Sequence, residues 1–281
     1  MTLLSLWLWP LIALVVLPAA LVYFGLHVVG RGIIFVDLAL AQIAALGIAT
    51  AVLLGADPEH GALPYTLAIL FTLAGAALFS LTRFRHPRVP QEAIIGIIYI
   101  AAAAAATMVL SRTAAGDEEI KNLLVGNILL VSRAEILRTG ALFAAVGALH
   151  YWLRRKFYLL SFDLDEAERQ GMSVRLWDFI FYATFGLVVT SFVRIAGVYL
   201  VFSYLIVPAV CGALLSSRTG MRLLIGWCVA LVAGVAGLLL STQWERMDLP
   251  TGPTIVCTFA VLLVLSGVVA FAQVRLALPH P

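Results

Sequence analysis

The sequence predicts an all-α polytopic membrane protein with about nine transmembrane helices, eight being the lower count. Three observations carry this. The 281-residue chain is 63% hydrophobic and only 12% charged, with a mean hydropathy of +1.05. Its apolar residues gather into stretches close to the roughly 20 residues that cross a bilayer core. The linkers between them are short, and basic loops alternate with acidic ones.

The stretches run over 4–29, 33–56, 62–82, 93–112, 134–153, 177–195, 197–216, 221–241 and 251–274. The first is too long for a signal-peptide core and lacks a basic flank, so it counts as a span. Short linkers leave no room for a second soluble domain, and residues 1–281 are read as one transmembrane domain. The spans are rich in small residues, as in GIATAVLLGA and the run Ala101–Ala106, which lets helices approach closely. Pro208 lies inside the seventh stretch, removes a backbone donor and is expected to kink it, either for packing or to line a cavity. Residues 120–132 are apolar but too short to cross. They read as a re-entrant or surface segment that Gly126 and Asn127 interrupt. Cys211, Cys228 and Cys257 all fall within spans, have no metal-ligand spacing, and are expected to be small buried hydrophobes.

Twelve of the 18 basic residues fall in loops on one side of a nine-span count: Arg31; Arg83, Arg85 and Arg88; Arg154, Arg155, Lys156, Arg169 and Arg175; Arg218 and Arg222; Arg275. The positive-inside rule makes that side cytoplasmic, with the N-terminus outside and the C-terminus inside. These basic clusters are small and explained by sidedness, so they do not call for nucleic acid. The opposite loops hold Asp57, Glu59, Asp117, Glu118, Glu119, Glu245 and Asp248. They are ordinary solvated acids or an outer mouth that attracts cations. His60, beside Asp57 and Glu59, is a candidate metal contact at that mouth. Arg194 and Asp248, both near outer span ends, are further pathway candidates.

The one long polar segment, residues 154–177, lies on the basic side. Within it, SFDLDEAERQGMS has the pattern of a helix of about two turns. Ser161 or Asp163 can cap its start, acids crowd the first turn, Arg169 comes late and Gly171 ends it. A polar helix of this kind is either solvated or docks on a partner.

Asp37 is the only acid deep in an early span. Intramembrane carboxylates face a cavity or a partner. Two readings fit: Asp37 marks the pathway, or it pairs structurally with Arg31 or Arg194. The chain lacks a G-x-x-x-x-G-K-[ST] phosphate loop, a His-x-x-x-His pair and a Gly-x-Ser-x-Gly turn, which argues against an intramembrane enzyme. A single deep carboxylate and no evident internal repeat argue against an ion-driven secondary transporter.

Four blocks, in order, resemble the metal-importer permeases (zinc, manganese, iron) of ABC transporters. Phe162, Asp163, Leu164, Asp165, Glu166, Ala167 and Gly171 resemble the family's cytoplasmic F-D-P-E-x-A-x-x-x-G segment, with Leu164 where Pro is common. GNILLVS at 126–132 resembles G-x-L-L-x-V-S. GVYLVFSYLIVPAVCGALL at 197–215 resembles a V-G-x-L-L-V-x-x-L-L-I-x-P-A-x-x-A-x-L-L span, and DLPTGPTIV at 248–256 resembles D-x-P-x-G-P-x-I-V.

The resemblance implies a type II, cobalamin-importer-like fold in the bacterial inner membrane, paired with a second copy or a sister permease in contact with lipid. It implies cytoplasmic ATPase subunits that dock on Phe162, Asp163, Asp165, Glu166 and Gly171, and an extracytoplasmic metal-binding protein. The chain would hold no cofactor and catalyse nothing. It would carry a divalent metal, zinc first, then manganese or iron; the same fold carrying a metal chelate is the alternative. The family's pore helix reads D-x-x-[ST]-H-x-x-x-x-G. Aligning on Gly47 puts Gln42 at the His position and Leu38 at the Asp position, with Asp37 one residue early. Asp37 and Gln42 lie about 140° apart around a helix, so they do not readily share one ion. Both remain candidate metal contacts.

Overall fold

The computed structural model describes residues 3–57, 62–83, 89–113, 124–126, 131–243 and 249–277. Every regular element among these is a helix: α1 Leu3–Arg31, α2 Val36–Leu53, α3 Ala62–Leu81, α4 Gln91–Leu110, α5 Arg133–Trp152, α6 Arg154–Phe162, α7 Leu164–Arg169, α8 Val174–Leu215, α9 Thr219–Gln243 and α10 Thr251–Ala277.

Among the described residues, seven helices are long and apolar enough to cross a membrane. The count is eight if α5 and α6, bent by 77°, are taken together as one span. The 42-residue α8 would be about 63 Å long if straight, twice a bilayer core. It folds back on itself at Gly197, whose φ of 76° and ψ of 163° are open essentially to glycine alone. Phe24 of α1 packs on Phe185, with ring centroids 5.0 Å apart, while the next residue, Gly25, backs onto Leu205 and Ala209. In a straight helix Phe185 and Leu205 would be about 30 Å apart. The Phe192 and Tyr204 rings lie 6.0 Å apart across the two arms. The arms, 174–196 and 198–215, correspond to the sixth and seventh apolar stretches. With α5 counted as a span, they complete the nine.

The break is therefore at Gly197. Helical dihedrals continue through Pro208, so the expected kink there is not the one that shapes the helix. Gly126 (φ 62°) presses against the backbone of Ala196 and Gly197, so the described part of the 120–132 segment reaches into the bend. The rest of that segment lies outside the described residues, apart from Val131 and Ser132. Ser132 caps α5: its hydroxyl accepts from the Glu135 amide at 3.2 Å, and the Glu135 carboxylate accepts from the Ser132 amide at 2.9 Å.

The core lies where α1 and both arms of α8 meet, a cluster of Phe24, Phe181, Phe185, Phe192 and Tyr204 joined by Phe259. Of the cysteines, Cys211 is buried as expected. Cys228 and Cys257 are exposed, Cys257 into a cavity described below.

Candidate functional site

Two regions of the fold concentrate polar chemistry. The first is a cavity of about 620 Å³ between α2, α4, the second arm of α8 and α10. Leu38 and Gln42, one turn apart, lie on its α2 wall. Small residues, Ala45 on the same wall and Ala103 and Ala106 on the α4 wall, leave the space open, and Thr107, Tyr199, Ser203 and Cys257 add neutral polar groups. Gln42 is 8% exposed and faces the cavity, and its amide makes no hydrogen bond among the described residues. An amide on the wall of a cavity this size can be satisfied by water.

Asp37 does not line this cavity. It is 1% exposed, and no side chain among the described residues donates to its carboxylate, which sits beside the Asp37 and Leu38 backbone amides. Its place in the first turn of α2 sets it against the positive end of the helix dipole, a partial compensation. Neither proposed partner reaches it: Arg31 is committed to Asp178, and the Arg194 guanidinium lies 5.4 Å over the Tyr65 ring. Arg194 instead lines a separate pocket of about 220 Å³ with Glu135 and Arg138, away from Gln42. Asp248 and His60 lie outside the described residues. Among the described residues, no three His, Cys, Asp or Glu side chains come together as a metal site.

The second region is the polar segment on the basic side. The first nine of its residues, RRKFYLLSF, form α6 rather than loop, because Phe157, Leu160 and Ser161 fall on one face and bury. Asp163 is the N-cap of α7, its carboxylate accepting from the Glu166 amide at 3.1 Å. Ser161, the other candidate cap, is drawn into the core. Glu166 accepts from Arg169 at 2.9 Å and from Gln170 at 2.8 Å. Those contacts, the Gln170 amide first and the Arg169 charge next, hold its carboxyl below the usual range. Gly171 ends the turn with φ 69°. Asp163 and Asp165 are exposed. Phe162 packs its ring edge against Gly30 of α1.

Beneath this segment lies a buried ion cluster that the sequence reading missed. Asp178, fully buried at the start of α8, accepts from Arg31 at 2.8 Å and from Arg83 at 2.7 Å. Arg83 also donates to the Leu160 carbonyl at 3.0 Å, and Arg31 to the Ser161 hydroxyl at 2.8 Å. His27 completes the set with a 2.8 Å hydrogen bond to Ser161. Helices α1 and α8, α6 and the residues after α3 are thus tied together on one side. The available signal was a lone Asp just inside a span on the side where Arg31 and Arg83 also end theirs.

The ABC 3 transport family (ABC-3) matches residues 5–270. The chain belongs to this family. It is a transport subunit rather than an enzyme, and its multi-pass architecture is that of a membrane permease. A probable iron transport system membrane protein of Haemophilus influenzae is 23% identical over 68% of this chain and 68% of its own length. The manganese transport system membrane protein MntC of Halalkalibacterium halodurans is 24% identical over 86% of this chain and 80% of its own. In fold, this ABC 3 permease is similar to PsaBC from Streptococcus pneumoniae, solved in complex with a Fab. The TM-score is 0.76 at 22% identity, covering 93% of this chain and 90% of the other.

Proposed function

We propose that this chain is the transmembrane permease subunit of an ATP-driven importer for divalent transition-metal ions. It works in the bacterial inner membrane with its N-terminus outside and its C-terminus in the cytoplasm. Two such subunits, copies or sisters, pair around a shared path. ATPase subunits dock beneath α7, and an extracytoplasmic metal-binding protein delivers cargo from above. The names of the relatives favour manganese or iron over zinc, which led the sequence reading. The observation that carries the proposal is the cavity with Gln42 and Leu38 on its wall, the residues that alignment on Gly47 sets at the family's His and Asp positions. Cargo ligation there is weak, which suits passage because a site that holds too firmly does not release. Filling the space tests this. Ala103→Trp should abolish metal uptake while the protein still inserts and binds its ATPase; normal uptake would mean that cargo travels elsewhere.

One observation favours a second reading, the same fold carrying a metal chelate. The cavity's polar groups, Gln42, Tyr99, Thr107, Tyr199, Ser203 and Cys257, are all neutral, with no carboxylate or imidazole among them. A chelate brings its own ligands and needs room rather than protein charge. Uptake that depends on an added chelator, and not on free metal, would select this reading.

A further inference from the structure

On the flank away from the cargo cavity, an apolar groove of about 630 Å³ runs between α1, α5, α6 and the start of α9. Its floor is open because α5 presents two glycines seven residues apart. A Cβ on Gly147 would meet nothing within 4 Å, and one on Gly140 would meet only Val16, at 4.0 Å. From Gly140 to Tyr151 the floor is about 16 Å long. That matches one leaflet, half of a hydrocarbon core about 30 Å thick.

The chemistry changes where the floor ends. The chain bends by 77° into α6 at this point. Tyr151 and Trp152, 71% and 82% exposed, stand at the bend like an interfacial aromatic belt. Arg154 lines the mouth of the groove. Its guanidinium lies 4.5 Å over the Tyr151 ring. Exposed Arg155 and Lys156 follow it.

We propose that this groove is a binding site for one anionic phospholipid of the cytoplasmic leaflet. An acyl chain lies along Gly140, Ala144 and Gly147, and the phosphate meets Arg154 and Arg155. The site is independent of the cargo. Because α6 carries α7, the lipid braces the segment that faces the ATPase.

Native mass spectrometry of the purified full-length protein tests this, with dioleoyl phosphatidylglycerol and dioleoyl phosphatidylcholine as probes. Phosphatidylglycerol adducts should be retained preferentially, and each arginine removed, by Arg154→Ala and Arg155→Ala, should cut that preference about fivefold. Gly147→Leu, which fills the floor, should remove the bound lipid while thermal stability is kept. Equal retention of both lipids, or a preference that survives these variants, would overturn the site. So would loss of dimers in the Gly147→Leu protein, since the groove would then be a protein interface.

Discussion

Asp178 holds two guanidiniums at the base of the bundle, and Arg31 is itself 2% exposed at its side chain. Removing one partner of such a buried pair leaves an uncompensated charge, which costs about 3–5 kcal/mol. Asp178→Ala should therefore lower the midpoint of thermal unfolding in detergent sharply, and an unchanged midpoint would mean that water already solvates the cluster. Asp37 should behave in the opposite way. Its carboxylate has no side-chain partner among the described residues and lies off the cavity wall, so Asp37→Asn should leave metal uptake near wild type and raise thermal stability. A collapse of uptake would put Asp37 back on the path. That Leu38 and Gln42 share one face was legible in the sequence, because residues four apart on a helix lie on one side. Asp178 was not legible: a carboxylate at a span end looks like an interfacial group until three chain segments converge on it.

At the scale of elements, α7 was readable almost residue by residue. Asp163, Arg169 and Gly171 fill the cap, last-turn and terminating roles that their side chains favour. Replacing Asp163, Asp165 and Glu166 together with Ala should cut metal uptake while the protein still inserts and folds. Normal uptake by that variant would remove α7 from the coupling path. Helix α6 was hidden because RRKFYLLSF begins with three cations, and only tertiary contact shows that Phe157, Leu160 and Ser161 share a buried face. The fold-back of α8 was legible as two spans, yet its hinge was not. Pro208 carries the stronger sequence signal for a kink, while Gly197 has the conformation that only glycine takes readily. Gly197→Ala would add strain of about 1–3 kcal/mol. It would also bring a Cβ to 2.7 Å from the Leu124 carbonyl oxygen, so folded yield should fall. A yield equal to wild type would show that the bend tolerates another geometry.

For the whole molecule, hydropathy and loop charge already define nine segments. The contact of Arg31, Arg83, Leu160 and Asp178 is what places the basic segments after α1 and α3 beside the α6–α7 segment. What composition could not supply is the division of labour between the two flanks. One holds a neutral-walled cavity lined by Gln42; the other holds a lipid-length groove ending in arginines. Both depend on which small residues face each other across helices, and that is fixed only by packing. The central claim is that this ABC 3 permease brings transition metal into the cell. The measurement that tests it most directly is total cellular manganese, iron and zinc by elemental mass spectrometry under metal limitation, in cells lacking the chain and in the same cells complemented. The account predicts a fall in manganese or iron that the wild-type chain restores and the Ala103→Trp chain does not. Unchanged levels of all three metals, or full restoration by Ala103→Trp, would contradict it.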